Sequence, residues 1–214
     1  MTTTKKLAIA VVALSLALVC AIGGTLAFLV AESEKVVNTF TYGGIEITLT
    51  ETKGDVNDNG EHVFGNVVPG ATVKKDPMVT VKENSENCYV YAKIENNVVL
   101  NGTVVVKCNI DIANWKLIGS RTDDKGSVAS LYQYIGGDNN GIVAKPSSDT
   151  KLPALFEDVT FSEDIESGDI EILDEITDDI VITAYAHQAD NTDVDTANAA
   201  AIKWAEVDAV SAAI

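Results

Sequence analysis

The sequence predicts an antiparallel β-sandwich that follows an N-terminal export signal and ends in a short helix. Three observations lead to this fold class. Apolar and polar residues alternate in several segments, turns rich in Asn and Gly separate these segments, and an uncharged apolar run lies near the start of the chain. The chain has 214 residues, 46% of them hydrophobic, which is enough for one domain with a core of its own.

Period-two alternation is clearest in three segments, residues 45–50, 88–95 and 180–187. In such a strand one face packs inward and the other faces water. Shorter runs rich in β-forming residues are 63–68, 78–82, 103–108, 115–118, 131–135 and 156–161. Together they predict about nine strands in a sandwich that spans residues 41–191.

The end of the chain has a different pattern. Thr192 or Asp193 can cap a helix, and acidic residues in the first turn suit its positive N-terminus. We therefore predict a helix over 192–214 that covers the sandwich and is anchored by Trp204, with a partner-binding helix as the alternative. The residues at helical spacing are Ala200, Trp204, Val207, Val210 and Ile214.

The beginning of the chain has the pattern of a signal peptide. Two lysines precede the uncharged run 7–31, and small residues stand three and one positions before the bond between Ala27 and Phe28. The sequence predicts cleavage at this bond, so that residues 1–27 are removed and the rest is secreted. A retained membrane anchor is the alternative.

Charge and motifs exclude several classes of function. Lys and Arg number 15 against 32 Asp and Glu, a net charge of -17, which argues against binding nucleic acid or anionic lipid. Contact with a membrane is therefore expected only through an uncleaved signal. The sequence has no HExxH, GxSxG or P-loop motif, so we expect no catalysis and no cofactor.

A weak calcium candidate is formed by Asp55, Asn57 and Asn59. They match the first half of a calcium loop, but the closing position holds Asn66 where a Glu is required. A hairpin turn explains the same residues without a metal ion.

Cys88 and Cys108 are the two cysteines that follow the signal. They are predicted to lie on neighbouring strands joined through Asn101-Gly102. A disulfide is allowed outside the cell, and two buried free thiols are the alternative.

Several segments, taken in order, resemble the TasA/camelysin family of secreted bacterial proteins, whose signals are removed by a signal peptidase of the SipW type. The matching segments are GGTLAF at 23–28, VVNTFTYGGIEITLTET at 36–52, VVPGATVKKDPMVTV at 67–81, SENCYVYAKIE at 85–95 and ITAYAHQAD at 182–190.

The resemblance implies a jelly-roll sandwich that polymerises into fibres of the biofilm matrix. In such fibres the N-terminal segment of one subunit enters the sheet of the next, and here that segment is 28–40. It can instead form the first strand of its own sandwich. The alternative function is a monomeric surface module that binds a glycan, host protein or cation. A metalloendopeptidase, the label carried by camelysin, is disfavoured because the HExxH motif is absent. The apolar residues of the predicted donor strand are Phe28, Leu29, Val30, Val36, Val37 and Phe40.

Overall fold

A computed structural model describes residues 44–53, 55–56, 62–63, 68–137, 141–165 and 180–210, with the backbone alone for 55–56 and 62–63. The chain divides into residues 1–34 and 35–214, and every described residue belongs to the second unit. The described residues form antiparallel sheets and one α-helix, which confirms the predicted all-β sandwich. The predicted signal peptide, 1–27, lies outside the described residues.

The strands and the helix are numbered in chain order. They are β1 (Ile47–Thr50), β2 (Asp55–Val56), β3 (His62–Val63), β4 (Thr72–Lys74), β5 (Met78–Val81), β6 (Cys88–Asn96), β7 (Val99–Leu100), β8 (Thr103–Val104), β9 (Val106–Ile110), β10 (Trp115–Thr122), β11 (Val128–Tyr134), β12 (Ile142–Val143), β13 (Thr150–Lys151), β14 (Phe156–Phe161), β15 (Ile180–Gln188), α1 (Val194–Ala205) and β16 (Asp208–Ala209).

Most of the shorter predicted strands are confirmed, as parts of β5, β10, β11 and β14. The predicted strand 103–108 is divided between β8 and β9. Of the predicted strand 63–68, only Val63 lies in a strand among the described residues, and Val68 is exposed.

The first sheet, called sheet 1 below, is built around β6. Its strand order is β15, β6, β11, β10 and β16. Strand β12 pairs with the first two residues of β6, on the same side of β6 as β11, which pairs with the later residues. All of these pairs are antiparallel. Ala92 in the middle of β6 lies opposite Ala184 of β15 on one side and Tyr132 of β11 on the other.

The second layer consists of two short sheets that continue one another. One has the order β1, β5, β13 and the other β4, β14, β9. The Lys75 N–H donates to the Glu157 carbonyl at 3.1 Å, and the Leu155 N–H donates to the Pro77 carbonyl at 2.9 Å. These bonds continue the backbone pairing from one short sheet to the other. The two sheets therefore form one layer, called sheet 2 below, in which β4 and β5 lie in line, β13 and β14 lie in line, and the order is β1, β4/β5, β13/β14 and β9.

Strand β6 is buried on both faces. Val90 and Ala92 face sheet 2 and belong to the core between the sheets. Tyr89 and Tyr91 face the opposite way and pack beneath α1, where the Tyr91 hydroxyl donates to Asn198 Oδ1 at 3.0 Å. The prediction that this second face is wet is therefore wrong, because the helix covers it.

Helix α1 begins as predicted and ends earlier than predicted. Asp193 is the N-cap, and its carboxylate accepts the Thr196 N–H at 2.7 Å. The helix ends at Ala205 because Glu206 adopts a left-handed conformation with φ 54°. The predicted helix over 192–214 is thus too long, since the chain leaves α1 to form β16 against β10. The face that docks on sheet 1 consists of Ala197, Ala201 and Ala205.

Asp76 holds the segment after β1 against the bend between β4 and β5. Its carboxylate accepts the N–H groups of Thr52 at 2.8 Å and Lys53 at 2.9 Å, and the Thr52 hydroxyl at 2.6 Å. Burial acts to raise the pKa of Asp76, but these hydrogen bonds outweigh burial and hold the pKa below its usual value.

We expect Asp76→Asn to reduce the acid sensitivity of the fold. A carboxyl group whose pKa is lower in the folded chain contributes stability above its unfolded pKa, and this contribution is lost as the pH falls through the folded pKa. The urea midpoints of the wild type and the variant should therefore differ at pH 7 and converge once the pH has fallen below the folded pKa of Asp76. Asp124→Asn, at an exposed position, controls for the loss of one charge. A constant difference between the wild type and Asp76→Asn at all pH values would contradict this expectation.

Candidate assembly site

The structure does not describe the residues of the predicted cleavage and strand donation. Ala27 and Phe28, and the other donor residues Leu29, Val30, Val36, Val37 and Phe40, lie outside the described residues. Cleavage and strand donation therefore stay predictions, and the structure bears only on the surface that could accept a strand.

The calcium candidate lies in a β-hairpin. Asp55 pairs with Val63, and Val56 pairs with His62, so β2 and β3 are antiparallel. The interpretation of this segment as a hairpin is confirmed, while Asn57 and Asn59 lie outside the described residues. Within the described ranges, no cluster of three His, Cys, Asp or Glu side chains could hold a metal ion.

Cys88 and Cys108 are free thiols on different sheets. Cys88 begins β6 in sheet 1, and Cys108 lies in β9 of sheet 2. The prediction of neighbouring strands is wrong because β7 and β8 pair with each other and the chain then crosses to the other sheet. Of the two alternatives, the structure has the free thiols and not the disulfide.

Both thiols are protonated at neutral pH. Burial raises the pKa of Cys88 to about 12. Burial also raises the pKa of Cys108, to about 11, a shift that Lys75 opposes and Glu51 supports. Because the thiolate is the reactive form, neither side chain is an activated nucleophile.

Strand β9 is an edge of sheet 2. It pairs with β14 on one side, and the described residues place no strand on the other side. The opposite end of the sandwich is different. There β1 of sheet 2 lies close to β15 of sheet 1, and Ala184 and Ala186 of β15 make interactions in addition to their pairing with β6. The β9 side is therefore the open side of the described sandwich.

The backbone of β9 presents hydrogen-bonding groups to this open side. Val105 and Asp111 bond to residues that flank β14, at 2.8 and 2.9 Å, so the odd-numbered residues face β14. The backbone groups of Val106, Cys108 and Ile110 consequently point away from β14.

Only some of these outward groups have partners among the described residues. The Val106 carbonyl accepts Asn96 Nδ2 at 2.6 Å, and the Ile110 carbonyl accepts the Ile112 N–H at 3.0 Å. Within the described part of the chain, the N–H and C=O of Cys108 and the N–H of Ile110 have no such partner, so they are available to an added strand.

Among the described residues, part of the inner face of sheet 1 is exposed at Leu117 of β10. Trp115 and Leu117 point in the same direction from β10. Trp115 is 1% exposed beneath sheet 2, whereas Leu117 is 39% exposed. Leu117 lies directly opposite Tyr132 of β11.

A pocket of about 150 Å³ lies between the sheets beside β9. Ile94 and Asn96 are buried there, and the other lining residues are half-buried, so the pocket is not sealed. Burial raises the pKa of the Tyr132 hydroxyl at its wall, although a hydrogen bond with Ser130 acts in the opposite direction. The lining residues are Ile94, Asn96, Val104, Cys108, Val128, Ser130 and Tyr132.

A polar network holds β9 in place on the outer face of sheet 2. The Asn109 amide donates to the Asp158 carboxylate and to the Thr160 hydroxyl, and Lys74 pairs with Asp158 at 3.2 Å. These contacts join β4, β14 and β9. The open edge is thus a fixed surface, which reduces the entropy that an added strand must overcome.

Comparison with known proteins found no matching family model, curated protein or solved structure. Among the helices of the described residues, none is both long enough and apolar enough to span a membrane.

Proposed function

We propose that the mature protein is a secreted structural subunit of extracellular fibres of the biofilm-matrix type. Residues 28–40 of one copy would add as a strand to the β9 edge of the next copy. Strand addition supplies main-chain hydrogen bonds, and alternate side chains supply specificity. The contact is head-to-tail, so it does not close on itself and can extend into a filament.

The open edge of β9 is the observation that carries this proposal. Natural β-proteins protect exposed edges with inward-pointing charges, proline or covering segments, because an unpaired edge invites another chain. The inward-facing side chains of β9 are Val106, Cys108 and Ile110, none of which is charged. The pocket described above adjoins this edge, because the Cys108 side chain lines it.

Three sequence features agree with the proposal. The chain resembles the TasA/camelysin family, and cleavage before Phe28 by a SipW-type peptidase would free the donor segment. Removal of Lys5 and Lys6 changes the net charge from -17 to about −19 (−17 − 2), which favours solubility of the monomer. The proposal requires no catalytic residue and no cofactor.

Electron microscopy of two chains tests the proposal. The mature chain 28–214 is expected to form filaments over time, and the truncated chain 41–214 is expected to form none, because it lacks the donor strand. Circular dichroism must first show that both have the same strand content.

Filaments from the truncated chain would contradict donation by residues 28–40. A mature chain that stays monomeric in size-exclusion chromatography at every salt concentration and pH would favour the monomeric binding module.

A further inference from the structure

We infer, on the basis of the proposed function, that the pocket beside β9 receives the side chain of Phe28 from a second copy. The pocket would then act as the specificity site of assembly, and β9 would supply the backbone partners. The occupant is the leading stretch Phe28–Leu29–Val30 of the neighbouring chain, and Phe28 is its anchor.

The size and chemistry of the pocket suit one large apolar side chain. Its volume of about 150 Å³ is that of an apolar cavity able to hold a benzene ring. No charged side chain lines it, so a carboxylate such as Glu32 or Glu34 would be buried there without a counter-charge. Asn96, its buried polar residue, already bonds to the Val106 carbonyl.

The pocket and the open edge are connected through Cys108. The backbone N–H and C=O of Cys108 point away from β14, and its side chain lines the pocket. A donor residue paired directly with Cys108 has its side chain on the same face as the thiol. That residue therefore faces the pocket, while its immediate neighbours in the donor strand face outward.

Chain length decides which aromatic residue of the donor segment can extend beyond its own subunit. The Lys82 N–H donates to the Glu46 carbonyl at 2.9 Å, which places the beginning of the described chain near the start of β6. The pocket lies near the other end of β6, which has 9 residues, so the separation along the strand is about 26 Å.

Phe40 and Phe28 differ strongly in reach. Phe40 is four residues before Gly44 (44 − 40) and can extend at most about 14 Å from it. Phe28 is sixteen residues away (44 − 28) and can extend about 55 Å, far enough to leave its own subunit. Phe28 also begins the stretch of four apolar side chains, FLVA, that precedes Glu32.

Alkylation of Cys108 tests the inference in the intact mature chain 28–214. This chain has two cysteines, Cys88, which is 0% exposed, and Cys108, which is half-buried, so mass spectrometry after iodoacetamide treatment can follow Cys108 separately. We expect alkylation of Cys108 to slow by at least ~10-fold when monomers assemble into filaments.

Two replacements of Phe28 provide a matched pair. Phe28→Ala is expected to raise the critical concentration for assembly by about 50-fold, because the pocket is left unfilled. Phe28→Leu is expected to change this concentration by less than ~5-fold, since leucine keeps a large apolar side chain that still fills most of the pocket.

Each contrary outcome identifies what has failed. Filaments that need residues 28–40 but leave Cys108 as reactive as in the monomer would overturn the pocket assignment and leave the proposed function standing. Equal effects of Phe28→Ala and Phe28→Leu would overturn it as well. Protection of Cys108 in a chain that remains monomeric would mean that the pocket is filled by its own chain, which would overturn the pocket assignment. The absence of filaments would overturn both the pocket assignment and the proposed function.

Discussion

Replacing Ile110 with proline is expected to abolish assembly while the sandwich stays folded. The Ile110 N–H points away from β14, so the substitution removes a donor from the open edge and leaves the pairing with β14 in place. The proline ring also occupies the space that an added strand needs, which is why proline is tolerated on sheet edges and blocks their extension. Sedimentation should show at least a ~20-fold loss of pelletable filaments.

Two controls separate edge blocking from misfolding. Ile110→Thr keeps the N–H and is expected to assemble. Asn109→Pro removes an N–H on the side of β14 and is expected to cost about 3 kcal/mol of folding free energy. If Ile110→Pro assembles like the wild type, the accepting edge is not β9.

The largest effect on stability is expected for Trp115→Ala. The Trp115 side chain is 1% exposed in the core between the sheets, and its ring contacts that of Tyr134 edge-on, with centroids 5.4 Å apart. Its indole N–H donates to the Pro153 carbonyl at 3.2 Å. Loss of this side chain leaves a large cavity and an unpaired carbonyl. We therefore expect the free energy of unfolding to fall by about 4 kcal/mol. Urea titration followed by circular dichroism measures the difference.

Comparison with Trp115→Phe divides the effect into packing and hydrogen bonding. The phenylalanine variant retains an aromatic ring and loses the indole N–H donor, so its free energy of unfolding should fall by about 1.5 kcal/mol. Trp204→Ala, at a half-buried position on α1, should cost less than Trp115→Ala. A loss below about 2 kcal/mol for Trp115→Ala would contradict the assignment of Trp115 as a central core residue.

Local patterns predicted the strands that have strong alternation or turn signals. Strands β6 and β15 lie where the alternation of residues 88–95 and 180–187 placed them. The beginning of α1 was also predictable, because Asp193 is a typical N-cap residue whose side chain bonds to the first turn.

Features that depend on long-range packing were not predictable in the same way. Tyr89 and Tyr91 were predicted to face water because their alternation with Val90 is that of a half-buried strand, and nothing local indicates that α1 covers them. The end of α1 was missed because the left-handed residue is Glu206, where glycine is the usual signal.

The open edge is a further property of topology that local sequence does not encode. The alternation of Val106, Cys108 and Ile110 indicates a strand, but the order of the described strands in sheet 2 decides that β9 is the last of these. The split of the predicted strand 103–108 has a related cause. The Val105 N–H bonds to the Val98 carbonyl, which keeps β8 in the hairpin with β7 and separates it from β9.

The placement of the two tryptophans gives the protein a separate optical reporter for each layer. Trp115 lies in the core between the sheets, whereas Trp204 stacks on Tyr185 with ring centroids 5.0 Å apart and has the Lys93 ammonium 5.6 Å from its own ring. Undocking of α1 would thus change the emission of Trp204. The emission of Trp115 would stay the same, because this side chain would keep its apolar surroundings. Fluorescence of single-tryptophan variants can therefore distinguish peeling of the helix from melting of the sheets.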